Sequence, residues 1–168
     1  MKRSFILLSV ILSLFLIRYR FAGEDGNAYR NIIDGDGRGY YAYLPAIFIY
    51  HDLDFRFFDI HPELFPPLYA KTFLLGQEGH YLNKYTCGEA LLLLPFFALA
   101  ALHSKVFCMP VDGYNPAFHV YCGIGVFLFL LAGLWHARKL LVLYKLPPFA
   151  INVALLHWPW EPTSSIIR

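Results

Sequence analysis

Charge is scarce in this chain. Asp, Glu, Lys and Arg make up 15% of its 168 residues, where a soluble globular domain carries roughly a quarter. The net charge is only +2, and there is no basic run and no interleaving of basic with aromatic side chains. That excludes nucleic acid as a partner. Cysteine is also sparse. Cys87, Cys108 and Cys122 show neither CxxC nor Cys/His metal spacing. All three read as small buried residues rather than a disulfide or a metal site. His80, His103, His119, His136 and His157 are scattered without HExxH or other ligand spacing. No internal repeat is present.

What remains is apolar: 58% of the residues are hydrophobic and 18% aromatic. This bias predicts an all-α integral membrane protein with three to four transmembrane helices and a long external loop carrying interfacial helices. Residues 1–156 form one membrane domain, comprising a signal-anchor helix over 1–21, an external acidic loop over 22–88 and further membrane helices over 89–156.

The uncharged run Ser4–Ile17 follows Lys2 and Arg3 and is closed by Arg18 and Arg20. It is short of the roughly 20 residues a span needs, and Tyr19 and Phe21 extend it at the interface. A cleaved signal peptide is the rival reading. Arg20 and Phe21 before Ala22 and Gly23 make a poor cleavage pattern, which favours an anchor. Further apolar runs cover Ala90–Leu102, with Pro95 inside, and Val120–Trp135, with Gly123, Gly125 and Gly133 as helix-packing positions. Leu146–Leu156 opens a fourth.

Between the first two runs lies most of the acidity. Tyr40–Tyr50 is too short to span and is expected to lie in the interface as an aromatic-rich helix. His61–Tyr69 holds three prolines and reads as a loop or helix start. Basic residues at Lys2 and Arg3, and again at Arg138, Lys139 and Lys145, suggest cytoplasmic ends, which requires an even number of crossings between them. Three runs stand there, so the Ala90 run is re-entrant or one charge signal misleads. The loop 22–88 is placed on the external face. Trp135, Trp158 and Trp160 read as interface-belt residues.

The chemistry concentrates in Asp34–Ala46, DGDGRGYYAYLPA. In an extended segment, residues two apart share a face, so Asp34 and Asp36 can meet one divalent cation, Mg²⁺ or Mn²⁺, or one hydroxyl. One carboxylate can serve as a general base and Arg38 can pair with a phosphate. The plain alternative is a solvated Asp-Gly turn. His51, Asp52 and Asp54 read chiefly as a polar interfacial edge, and Val111–Tyr114 as a loop between helices.

The order of segments adds context: anchor, then DGRGYYAYLPAIFIYHDLDF, NKYTCGEALLLLPFFALAAL and VDGYNPAFHVYCGIGVFLFLLAGLW. It resembles the N-terminal part of GT-C type membrane glycosyltransferases. That broad group includes protein mannosyltransferases and aminoarabinose transferases acting on lipid A. The likeness is greatest to bacterial family-39-like or dolichyl-phosphate-mannose-type members and covers roughly residues 1–155. The resemblance implies a multi-span helical protein in the bacterial inner membrane, with an essential acid in its first external loop. It implies a polyprenyl-phosphate sugar as donor and a lipid, glycan or protein as acceptor. By position Asp36 matches the motif acid and Asp34 is the second candidate. Tyr40 and Tyr41 follow it. Lys84 and Tyr85 stand where family members place a basic residue facing the donor phosphate. Thr86-Cys87-Gly88-Glu89 departs from the family's more apolar approach and puts the Lys84 role in doubt. In the implied reaction a carboxylate takes the proton of the acceptor hydroxyl, worth about 10²–10⁴ in rate. Lys84, Arg38 or a metal stabilises the departing phosphate.

Such enzymes usually carry more spans than three or four, so the chain reads as an N-terminal fragment, with 157–168 as an aberrant or frameshifted tail. Back-translation from the third base of the His157 codon permits Leu-Ala-Leu-Gly-Thr-Asn. That run would continue the helix begun at Leu146 and resembles one in the family. A fragment of this kind is expected to be inactive alone. Two other readings stand beside the enzyme: a non-catalytic membrane accessory or glycolipid-binding protein, and a transporter fragment. The latter lacks the mid-membrane ionisable groups it should carry.

Overall fold

The structure, a computed structural model, describes residues 28–62, 73–77 and 80–147, with positions 11, 150 and 151. The expected anchor helix, apart from Ile11, lies outside the described residues. So do the tail 157–168, most of the run 146–156 and His61–Tyr69 beyond Pro62.

The chain is mostly helical. A 3₁₀ turn, Ala28–Asn31, precedes three short helices, α1 (Asp36–Tyr41), α2 (Tyr43–Phe48) and α3 (Phe57–Ile60). Two long helices follow, α4 (Gly88–Val106) and α5 (Pro116–Leu143). The all-α expectation needs one amendment. Leu74–Gln77 (β1) and His80–Asn83 (β2) pair antiparallel, with Leu74 opposite Asn83 and Leu75 opposite Leu82. Four-residue strands are too short to show an alternating pattern, so the sequence offered no period to read.

Both long helices are long and apolar enough to cross a membrane. At 1.5 Å per residue α4 spans about 28 Å and α5 about 42 Å, against a hydrocarbon core of about 30 Å. Helix α5 outruns the apolar stretch Val120–Trp135 at both ends, taking in Arg138 and Lys139. Leu91, Leu92, Leu99, Leu102 and Val106 of α4 are exposed aliphatic side chains that lipid would cover. Helix α4 runs through Pro95 without a break, as membrane helices allow.

The chain forms two compact units, residues 19–126 and residues 1–18 with 127–168, and α5 runs from the first into the second. In the first, α1 and α2 lie on α4. Tyr41 and Leu44 are buried with Ala90, Leu93 and Phe97 of α4 and with Phe118 and Cys122 of α5. A second cluster gathers Ala42, Ala46, Phe55, Phe57, Phe58 and Phe73 beneath the hairpin. The segment expected to float in the interface, Tyr40–Tyr50, is thus a pair of helices docked on α4, with only Ile47 and Phe48 as large exposed apolar groups. In the second unit, Leu134 and Ile151 are buried beside Leu130, Ala137 and Leu141.

Two of the three helix-packing glycines act as expected. A Cβ at Gly125 would stand 2.5 Å from Phe96 of α4, and one at Gly123 would stand 2.5 Å from Ile32, whereas Gly133 faces open space. The cysteine expectation holds for Cys122 alone. Cys87 and Cys108 are exposed, because one caps the start of α4 and the other turns the chain just past its end in a left-handed conformation (φ 53°).

Candidate functional site

Glycine-rich Asp34–Gly39 is not extended. Gly35 takes φ 57°, a left-handed turn that glycine adopts without a steric cost. The chain then enters α1 at Asp36. The turn separates the two acids. Asp34 Oδ1 accepts from the Gly35 amide at 2.7 Å and pairs with Arg38 at 2.7 Å, one helical turn on. Asp36 Oδ1 instead accepts from the Tyr85 hydroxyl. The extended segment that was to put both carboxylates on one face is therefore a turn and a helix instead. Among the described residues no group of three or more His, Cys, Asp or Glu side chains converges on a metal position.

Around Asp36 the structure brings together residues 49 positions apart in sequence. Tyr85 lies against Tyr40 with ring centroids 4.7 Å apart, and Lys84 Nζ stands 5.0 Å from the Tyr85 ring centre. Asn83, buried at the end of β2, fixes this arrangement. Its amide donates to the Gly39 carbonyl at 2.7 Å and its carbonyl oxygen accepts from the Tyr85 amide at 3.0 Å. The Tyr43 hydroxyl donates to the Tyr85 carbonyl at 2.7 Å. Gly39 must be glycine here, because a Cβ would run into the Tyr85 ring. The hydrogen bond to Asp36, aided by partial burial and the carboxylate charge, pushes the Tyr85 hydroxyl up to about 12, so it remains a donor at physiological pH.

Tyr41, paired with Tyr40 by sequence, lies apart from this group. It is 1% exposed and its hydroxyl donates to the Gly113 carbonyl. Burial raises its pKa well above the usual tyrosine value. Arg38 is one turn from Asp34 rather than on Asp36, and its side chain is 22% exposed. Asn83, Gly39 and Tyr43 are site-building residues that the sequence reading missed. Asn83 gave no local signal, since its two partners come from α1 and from its own loop.

Asp52, read as a polar edge, has a structural task. Its carboxylate accepts from the amides of Asp54 at 3.1 Å and Phe57 at 3.0 Å, closing the turn into α3. With Tyr50, His51, Arg56 and His61 it borders a cleft of about 380 Å³ distinct from the Asp36 group. Asp112 does the same at the next loop, taking the amides of Tyr114 at 2.7 Å and Asn115 at 2.8 Å ahead of α5.

Comparison of the chain with protein-family models, with curated proteins and with solved structures gave no match. The geometry around Asp36 therefore carries the functional argument.

Proposed function

We propose that this chain belongs to a membrane glycosyltransferase of the GT-C type, acting at the external face of a bacterial inner membrane. It would move a sugar from a polyprenyl-phosphate donor to a lipid, glycan or protein hydroxyl. The observation that carries the reading is the Asp36 carboxylate, oriented by the Tyr85 hydroxyl beside Lys84, four residues before α4 begins. A site there lies where the chain meets the bilayer surface, within reach of a lipid-borne substrate.

In this reading Tyr85 holds Oδ1 and Asp36 Oδ2 takes the proton of the acceptor hydroxyl. The acceptor oxygen bonds to the anomeric carbon as the bond from that carbon to the phosphate oxygen breaks. The electron pair leaves with the phosphate, whose negative charge Lys84 meets. Lys84 Nζ lies over the face of the Tyr85 ring, which sets it beside the Asp36 carboxylate that Tyr85 holds.

Membranes carrying the chain, supplied with a labelled polyprenyl-phosphate hexose, give two readouts, donor binding and transfer. The expected result is that Asp36→Asn keeps donor binding and lowers transfer by about 10²-fold or more. Undiminished transfer by Asp36→Asn would sink the assignment.

A further inference from the structure

Helix α4 is long enough to cross a bilayer, yet the segments on either side of it share neighbours. Phe58, in α3, shows this directly. Its ring meets that of Tyr114, beyond the end of α4, at 6.4 Å, and that of Phe73, ahead of its start, at 5.6 Å. Two rings with a common neighbour lie no further apart than those two distances together, which is less than half the roughly 30 Å of hydrocarbon in a bilayer. Phe73 is tied in turn to the approach to α4, because the Lys84 amide donates to its carbonyl at 3.1 Å.

The chain around α1 and α2 makes the same bridge. Asp36 and the Gly39 carbonyl accept from Tyr85 and Asn83, both ahead of α4. The Tyr41 hydroxyl donates to the Gly113 carbonyl and the Tyr50 hydroxyl to the Asp112 carbonyl at 2.9 Å, both behind it. Shortly past Tyr50 the Asp54 carbonyl accepts from the Tyr81 amide of β2 at 3.1 Å, ahead of α4 again. Asp54 and its ion-pair partner Arg56 stand in this connection, and charged groups of this kind are excluded from hydrocarbon. Both flanks of α4 are therefore held in one polar layer.

The helix itself has two faces. Ala90, Leu93, Phe97, Ala100 and Ser104 are buried, at spacings of three and four that mark one stripe. Leu91, Leu92, Leu99, Leu102 and Val106 are exposed on the other side, where Lys105 in the last turn is the first charge. An unbroken helix with protein on one face, an aliphatic surface on the other and both flanks in water suits the boundary between headgroups and acyl chains.

We propose that α4 does not cross the membrane but lies along its outer leaflet, with the exposed aliphatic face as a docking surface for lipid acyl chains. Helix α5, 28 residues long, is then the crossing helix and carries Arg138 and Lys139 to the cytoplasmic side, where basic residues concentrate. With the anchor expected over residues 1–21, that makes two crossings between the basic ends, the even number that their charges require. The inference rests on the external placement in the proposed function and is independent of glycosyl transfer.

The chain carries its own reporters, since Cys87 and Cys108 are exposed at the two ends of α4 while Cys122 is buried. The full chain is expressed in bacterial spheroplasts and treated with a membrane-impermeant maleimide before and after lysis. Cys108→Ser leaves Cys87 as the reporter, Cys87→Ser leaves Cys108, and the double variant gives the background. Both cysteines are expected to react before lysis. Tyr144→Cys in the double variant, just past α5, is expected to react only after it. Reaction of one end of α4 before lysis and the other only after means that the helix crosses, and overturns the proposal. Reaction of both only after lysis overturns the outer-leaflet placement, and early reaction of Tyr144→Cys overturns the crossing by α5.

A second measurement reads depth. Leu91→Cys, Leu99→Cys and Val106→Cys, each in the double variant, are labelled with bimane and reconstituted with lipids brominated at known depths. Equal quenching depth at all three positions is expected. A Leu99 label about 12 Å deeper than the Leu91 label would show a crossing helix, and absence of quenching would show that lipid does not cover this face. Because no transfer is measured, the placement of α4 can hold while the Asp36 assay fails, and the two failures are distinguishable.

Discussion

The hydroxyl of Tyr85 donates to the carboxylate of Asp36, joining the loop just before α4 to the first residue of α1. Neither residue positions the other alone. Asn83 ties both strands of chain together from behind.

That bond sets a titration. With its hydroxyl pushed up to about 12, Tyr85 has a folded pKa above its usual value near 10. The contribution is therefore fully present below about pH 10 and is lost as pH rises through about 12. In an ultraviolet titration Tyr85→Phe is expected to remove one late-ionising tyrosine. Asp36→Asn should shift that same step towards pH 10. Buried Tyr41 also ionises late, so the readout is the difference between variants: if Tyr85→Phe leaves the number of late-ionising tyrosines unchanged, the coupling is wrong.

Gly37 and Gly39 lie in the same helix and predict opposite outcomes. A Cβ at Gly37 meets nothing within 4 Å, while one at Gly39 meets the Tyr85 ring and stands 3.1 Å from Phe73 Cβ. Gly37→Ala should stabilise by about 0.4–1 kcal/mol. Gly39→Ala should destabilise by about 1–3 kcal/mol through overpacking and displace Tyr85. Thermal melting in detergent compares them, and equal melting temperatures would refute the close approach of Tyr85 to α1.

Tyr41→Phe separates a structural tyrosine from a substrate contact. Losing the hydroxyl strands the Gly113 carbonyl, at a cost of about 1–3 kcal/mol. Stability should fall while donor affinity stays constant. A drop in affinity at unchanged stability would return Tyr41 to the binding group.

Gly125→Val should loosen α4 from α5, since Phe96 occupies the space, while Gly133→Val should be silent. Denaturant unfolding is expected to show a loss of about 1–3 kcal/mol for the first. No loss at Gly125 would mean that the two helices meet elsewhere.

Sequence by itself determined the elements whose driving force is local. The apolar runs announced α4 and α5, because helices that satisfy their own backbone need only length and composition to be recognised. Gly123 and Gly125 were legible as contact positions, and the Asp-Gly stretch was legible as a special loop. Tertiary structure decided the rest. It folded Asp34–Gly39 into a turn and a helix, so that Asp34 and Asp36 face different partners. It sent Tyr40 to Tyr85 and Tyr41 into the core, since adjacent helical residues point about 100° apart. It also brought Tyr29 to His119 across 90 positions. Such pairs depend on where α4 and α5 present their faces, and no spacing within either segment encodes that.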